Sequence, residues 1–493
     1  MAADARGLSL TGSAEAVTAY DQAIDHLIRF QSEVVDAAAA AVAADPGCVM
    51  ARVFCAYLAL MSTEENAVAV AIDALDGLGS DSAGLAMRSR ERAHLAAAER
   101  WIAGDMAHAG DLIGQISIEY PRDLLALAVG HQIDFFTGDA ASLRDRIGRA
   151  LGGWHADDPQ LGFVHGMYAF GLEESNLYQQ SEEFGRAAVE RNPDDVWGIH
   201  AVVHTYEMAG RVPDGVRFMR SREADWQTGN FLNVHNSWHY ALYLLQGGDT
   251  DGALAVYDRM IHHDDSQDSA LELLDASALL WRMHLEGTPV GDRWAPLAAA
   301  WARILTPGFY PFNDMHAVMS FIGNGELDRA ENLVRVLDEL IALGDRAGTG
   351  WKMTAAIGLP VCRSLVHFGQ GGYDSVIAGL LPIRTRVHTF GGSHAQRDAV
   401  ERTLLEAAIR AGRHELAAAL VSERLSMRGG QLLCVVEASL AAERGRGPGR
   451  CRSGHGARPQ AGRADPGCGR LTRAGPGLIG LPASTGSRQA EPA

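Results

Sequence analysis

The chain has 493 residues, of which 47% are hydrophobic and 7% aromatic, so it holds ample material for a hydrophobic core. Its formal net charge is -18, and no run of Lys and Arg interrupts the sequence before residue 445. Because such a surface repels phosphate backbones and anionic lipids, we expect neither nucleic acid nor a membrane as a partner.

The first residues carry charged side chains and no apolar stretch. Asp4 and Arg6 stand where a signal peptide would need apolar residues, so residues 1–12 are predicted to be a flexible N-terminus. No apolar run approaches the roughly 20 residues of a membrane-spanning helix. The six cysteines form no Cys-x-x-Cys pair, which is typical of reduced thiols. Together these features predict a cytoplasmic protein.

Residues 13–444 carry apolar positions at helical spacing and, over a longer distance, a recurring glycine. In each unit a Gly marks the turn between two helices, and a small residue follows in the second helix, as in Gly104 with Ala109 and Gly248 with Ala253. The other turn glycines of this pattern are Gly138, Gly210, Gly325 and Gly412. Several units repeat at roughly 34 residues, the tetratricopeptide period. We therefore predict an all-α fold of tetratricopeptide-like helix pairs that form a curved α-solenoid.

Two segments depart from this repeat. An insertion between Asp258 and Phe309 contains a further helical pattern, Leu271–Leu285, that is placed to cap the groove of the solenoid. From residue 445 to residue 493 the chain is rich in Gly, Pro and Arg and has no helical periodicity. This composition predicts a disordered tail. Because the change falls in mid-helix, we interpret the tail as an unnatural end to the repeat array.

Four histidines fall on the first helices of two successive units. With Gly210 and Gly248 at the turns, His200 and His204 take the fifth and ninth positions of one first helix. His235 and His239 then take the second and sixth positions of the next. These positions line the concave surface of tetratricopeptide repeats, and residues four apart share a helix face. The register therefore predicts that all four imidazoles face one groove.

Other polar residues fall on or near the same predicted surface, and we count them as candidate ligand-binding residues. They are Glu173, Glu207, Asn236, Asp314, His316 and His394.

Imidazoles with nearby carboxylates are the usual ligands of Zn and other first-row divalent metals, and the same groups serve as general acids and bases near neutral pH. The motifs of zinc proteases, serine hydrolases, P-loop proteins and dinucleotide-binding proteins are absent from the sequence. A single buried histidine is usually a hydrogen-bonded core residue. Four on consecutive helices weigh against that interpretation, because core positions favour Leu and Ala.

The same segments resemble the tetratricopeptide repeat protein 38 family. The resemblance is carried by the stretches 165–174, 197–208, 235–242, 312–316 and 392–398. It extends to about Glu443 and implies a divergent helical repeat fold without specifying an activity.

Two functions remain open from the sequence. In the first, the four histidines bind a metal or a small molecule in the groove and support metal-assisted or acid–base chemistry. In the second, the groove is a non-catalytic scaffold that binds a peptide through the same residues. A closed pocket would favour the first function, and an open trough would favour the second.

Overall fold

The computed structural model describes residues 3–78, 87–344 and 348–428. Within these residues the regular structure is helical, and pairing of extended backbone is limited to two isolated bridges, Ala3 with Ser9 and Gln31 with Asn230. The predicted all-α class is therefore confirmed.

Twenty-four α-helices follow one another along the described residues. The first eight are α1 (Ala14–Ile28), α2 (Val34–Ala44), α3 (Val49–Leu60), α4 (Asn66–Leu75), α5 (Ser89–Ile102), α6 (Met106–Glu119), α7 (Leu124–Thr137) and α8 (Ala140–Ala150). The next seven are α9 (Leu161–Glu174), α10 (Tyr178–Arg191), α11 (Val196–Met208), α12 (Val212–Ser221), α13 (Glu223–Trp226), α14 (Asn233–Gln246) and α15 (Thr250–Val256). The last nine are α16 (Ala270–Leu285), α17 (Trp294–Ile304), α18 (Pro311–Gly323), α19 (Leu327–Ala342), α20 (Thr349–Met353), α21 (Leu359–Gly369), α22 (Tyr373–Leu380), α23 (His394–Arg410) and α24 (His414–Arg428).

The predicted turn glycines lie between consecutive helices. All six have φ between 66° and 86°, in the left-handed region where a residue with a Cβ is strained. Each of them ends one helix and lets the next one turn back against it, as Gly210 does between α11 and α12. The helix pairs inferred from the sequence are therefore present as local structure.

Acidic residues fix where several of these helices begin. The Asp195 carboxylate accepts the backbone N–H of Gly198 at 2.9 Å and caps α11, and Asp249 caps α15 through Gly252 at the same distance. An N-cap of this kind satisfies one of the backbone donors that a helix start leaves unpaired. The cap at Asp195 fixes the residue at which α11 begins.

Small residues bring α9 and α11 close together. A Cβ added to Gly166 of α9 would lie 2.4 Å from the Asp195 carboxylate and 3.0 Å from the Gly198 Cα of α11. A side chain at Gly166 would therefore force the two helices apart. This close approach places the C-terminal turn of α9 beside the middle of α11.

The insertion forms a central helix. The predicted Leu271–Leu285 segment is the greater part of α16, which is buried along almost its whole length and packs against α14, α18 and α23. A helix that is buried on every side belongs to the interior of the fold. It lies next to the histidine-bearing α14.

The N-terminal segment is packed. Leu10 is buried, and the Thr11 backbone N–H donates to the Glu91 carboxylate at 2.5 Å. The segment that was predicted to be flexible, residues 1–12, therefore includes residues that pack against α5. The predicted tail, residues 445–493, lies outside the described residues.

A search of the described helices for one long and apolar enough to cross a lipid bilayer finds none.

A candidate metal site of four histidines

The four predicted histidines form one cluster. His200 and His204 lie one turn apart on α11, and His235 and His239 lie one turn apart on the neighbouring α14. The ring centroids of His204 and His239 are 4.3 Å apart, and those of His200 and His235 are 4.8 Å apart. The structure therefore brings the four imidazoles to one place, as the repeat register predicts.

The ring nitrogens of the cluster converge. Each histidine offers one nitrogen, and these four atoms lie within 4.8 Å of one another. The Nε2 atoms of His200 and His235 are 3.0 Å apart. Two imidazole nitrogens bound to one Zn²⁺ at about 2.1 Å would be roughly 2.9–3.4 Å apart, depending on the angle at the ion. The distance between the Nε2 atoms of His200 and His235 is thus that of two nitrogens on a shared metal ion.

Carboxylates contact the outer nitrogens of three of the rings. His235 Nδ1 is 2.8 Å from Asp275 Oδ2, and His239 Nδ1 is 2.9 Å from Glu207 Oε2. His204 Nδ1 is 3.5 Å from Glu173 Oε2. A carboxylate that accepts the Nδ1 proton leaves Nε2 with a free lone pair and fixes the ring, which is the usual second contact of metal-binding histidines.

Several nitrogens of the cluster are buried without a hydrogen-bond partner among the described residues. They are Nδ1 of His200, both ring nitrogens of His204 and Nε2 of His239. The three side chains are at most 1% exposed. An unpaired buried nitrogen costs about 1–3 kcal/mol, so a bound group that contacts these atoms would stabilise the cluster.

The surroundings of His200 and His239 favour the neutral form of both imidazole rings. Burial, reinforced by His204 and His235, holds the pKa of His200 well below its usual value, and the same causes lower the pKa of His239. A neutral imidazole is the form that binds a metal. The carboxylates of Glu173, Glu207 and Asp275 supply negative charge around the rings to balance a divalent cation.

A second polar group adjoins the first through Glu173. His394 Nδ1 is 3.4 Å from Glu173 Oε1, the His394 backbone N–H donates to Glu174 at 2.7 Å, and Arg397 pairs with Glu174 at 2.9 Å. Burial alone would raise the pKa of Glu173, but its contacts with His204 and His394 hold it below its usual range. Two carboxylates thus face two basic side chains, and we interpret this group as an ion-pair network that fixes Glu173 in position.

A cavity of about 340 Å³ lies on one side of the cluster. His200 and His235 line it, together with Asp275 and Gln396, whereas His204 and His239 lie behind them. Most of the remaining wall is apolar and comes from helices distant in sequence, including α1, α2, α3, α7 and α9. A metal held by the four rings would therefore have one side directed towards an apolar chamber.

A comparison of the chain with models of known protein families finds no match. The geometry of the site is thus the basis for its interpretation.

Three of the predicted site residues belong neither to the four-histidine cluster nor to the polar groups described around it. Asp314 accepts the backbone N–H of Gly308 at 3.1 Å, and burial raises its pKa to about 8. His316 Nδ1 contacts the Phe312 carbonyl oxygen at 2.7 Å. Asn236 is fully buried on α14, and neither of its amide atoms has a hydrogen-bond partner among the described residues. None of the three is part of the cavity wall.

Three residues that line the cavity were not among the site residues predicted from the sequence: Asp275, His131 and Gln396. Asp275 lies on the inserted helix α16, whose register is independent of the repeats, so repeat position carried no signal for it. His131 accepts the Trp197 indole N–H at 3.1 Å on the cavity wall, and burial, with Arg146 nearby, lowers its pKa to about 3. Gln396 lies next to the predicted His394, and the capping box that it forms with Ser393 was the available signal.

Proposed function

We propose that the protein binds a divalent first-row metal, with Zn²⁺ as the first candidate, through His200, His204, His235 and His239, and that it holds a small molecule in the adjoining cavity for metal-assisted chemistry. The convergence of four imidazole nitrogens carries this proposal. The carboxylates behind three of the rings support it, because they leave the inner nitrogens free as ligands.

Each residue has a distinct part in the proposed site. The four imidazoles hold the metal, while Asp275, Glu207 and Glu173 orient His235, His239 and His204 respectively. Because four protein ligands complete the usual coordination of Zn²⁺, a bound metal would have to accept a fifth ligand to polarise a carbonyl or to lower the pKa of a water molecule. Asp275 also lies on the cavity wall, so the carboxylate that orients His235 is next to the space proposed for the small molecule.

Within the same proposal, the fold is a tetratricopeptide-type repeat, and the chain is related to the tetratricopeptide repeat protein 38 family. We further propose that the protein is located in the cytoplasm. Helix pairs joined by left-handed glycines support it. For the ligand we favour a small molecule over a peptide, because the histidines are deeply buried and the adjoining space is a cavity of the size that small ligands occupy.

Metal analysis tests the proposal. Protein purified without a histidine tag and dialysed against Zn²⁺ should retain about one ion per chain by mass spectrometry of the metal. His239→Ala removes a ligand that lies behind the cavity, so retention should fall below about one tenth of the wild-type value.

His262→Ala is the matched control. His262 contacts Asp268 at 3.1 Å and so forms a histidine–carboxylate pair, but it lies outside the cluster. This variant should retain the wild-type amount of metal. A wild-type protein that binds no stoichiometric metal, or equal retention by His239→Ala and wild type, would overturn the proposal.

A further inference from the structure

The wall of the cavity has an unusual balance of charge. Three carboxyl groups, those of Asp195, Glu272 and Asp275, line it, and none of the described residues that line it is Lys or Arg. Recognition of a buried carboxylate or phosphate normally relies on Arg or on several N–H donors. An anionic ligand would therefore lack a basic side chain of this wall to pair with.

A cationic ligand is disfavoured for a different reason. The Asp275 carboxylate is already engaged by His235 at 2.8 Å. The Asp195 carboxylate is likewise engaged, by the backbone N–H of Gly198 at 2.9 Å, and burial raises the pKa of Asp195 to about 7. Since both signs of charge are disfavoured, the wall fits a ligand without net charge.

The rest of the cavity surface is mostly apolar and includes several aromatic side chains. Phe30 stacks on Trp197 with ring centroids 5.1 Å apart, and Phe135 and Phe163 also line the chamber. Such walls stabilise a ligand in proportion to the apolar surface that it buries. The volume of about 340 Å³ accommodates on the order of ten or more non-hydrogen atoms, at about 30 Å³ for each water-sized group.

Some of the apolar side chains that line this cavity are exposed to solvent. Val35, Phe231 and Leu271 are 53%, 50% and 39% exposed, and all three also line the cavity. They come from α2, the segment before α14, and α16, so their meeting at one place is a product of the fold. Clustered exposed apolar groups mark a binding surface, and here they form an apolar entrance to the chamber.

We infer that the ligand is an uncharged, predominantly apolar molecule of medium chain length with one polar oxygen, and that this oxygen lies against His200 and His235. The inference names the substrate class of the proposed metal site and in that respect rests on the proposed function. The apolar part of the ligand is recognised by the cavity alone, so its binding can be measured with or without a metal.

Calorimetry with three ten-carbon probes tests this inference. Decan-1-ol, decanoate and decylamine differ in charge but little in apolar surface. In His239→Ala protein without metal, decan-1-ol should bind at least about tenfold more tightly than either charged probe. Tighter binding of decanoate or decylamine, or no binding of any probe, would overturn the inference.

Two sets of variants locate the binding. Ala128 lines the cavity, so Ala128→Phe should fill part of it and weaken decan-1-ol binding by about tenfold, while Zn²⁺ retention stays at the wild-type amount. Val35→Asp should weaken the same binding at the entrance. Val70→Asp is its matched control, because Val70 is 58% exposed on α4 and does not line the cavity.

The two proposals fail in different ways. Loss of metal binding with intact decan-1-ol binding would refute the metal site and leave the ligand class standing. Metal retention with no preference for the neutral probe would refute the ligand class alone. Equal effects of Val35→Asp and Val70→Asp, in protein with wild-type helicity by circular dichroism, would also count against the cavity as the binding place.

Discussion

At the scale of single residues, the contact between Asp275 and His235 has the clearest consequence. The carboxylate accepts from Nδ1 at 2.8 Å and so directs Nε2 towards the other rings. It also brings a negative charge next to a site that is proposed to hold a cation. Both effects should raise the affinity for a metal, and both depend on the charge of one side chain.

We expect Asp275→Asn to weaken Zn²⁺ binding by about 10–100-fold, because the amide orients the ring less strongly and carries no charge. Competition with a chromophoric chelator measures the change. Asp258→Asn is the control, since the Asp258 carboxylate pairs with Arg293 on an exposed surface. Unchanged affinity in Asp275→Asn would show that this carboxylate has no part in the site.

Asp314 has a consequence for stability rather than for the site. Its usual pKa of 3.8 is raised to about 8 by burial, so the folded chain holds a proton that the unfolded chain releases. Below pH 3.8 both states are protonated. As the pH rises from there to about 8, the unfolded state is favoured progressively, and the contribution of Asp314 to stability falls.

Asp314→Asn should therefore be more stable than wild type, by a margin that is larger at about pH 8 than at about pH 5. The amide oxygen can still accept the Gly308 backbone N–H. Urea unfolding at the two pH values measures the margin, with Asp251→Asn on the exposed side of α15 as the control. An equal margin at both pH values would contradict the raised pKa.

At the scale of helices, the close packing of α9 and α11 determines where Glu173 meets His204. Gly166→Ala would bring a methyl group into contact with Asp195 and with the backbone of α11. We expect it to lower the free energy of unfolding by about 1–3 kcal/mol, because the helices must separate. Zn²⁺ affinity should fall as well, since separation draws Glu173 away from His204.

Gly152→Ala is the control for this substitution, because nothing lies within 4 Å of the added Cβ. Chemical denaturation and chelator competition measure both variants. Equal stability of the two would show that α9 and α11 have room to adjust.

The helices also show what the sequence could and could not predict. Turn glycines such as Gly210 and Gly248 affect only the backbone around them, so their spacing along the sequence predicted the helix pairs. The same spacing predicted that His200 and His239 face one shared surface. Asp275 contacts the cluster only because α16 packs against α14, which is a tertiary contact outside the repeat. The cavity was equally hidden, since its walls come from helices separated by more than 200 positions, from Leu27 to Phe312.

At the scale of the whole molecule, a metal that binds only the folded chain should stabilise it. With Zn²⁺ at about one hundred times its dissociation constant, the gain in unfolding free energy is about 2.7 kcal/mol. The midpoint of thermal unfolding should rise on addition of Zn²⁺ and return with a chelator. His239→Ala should show no rise, and a rise of equal size in that variant would place the metal elsewhere.

The span of the site along the chain has a consequence for biosynthesis. Glu174 and Arg397, which help to hold Glu173 in place, are 223 positions apart. At about 5–20 residues per second, a ribosome needs roughly ten to forty-five seconds to synthesise that interval. The nascent chain therefore presents its histidine-bearing helices well before α23 has emerged, and the contacts that surround Glu173 are completed only after translation has passed residue 397.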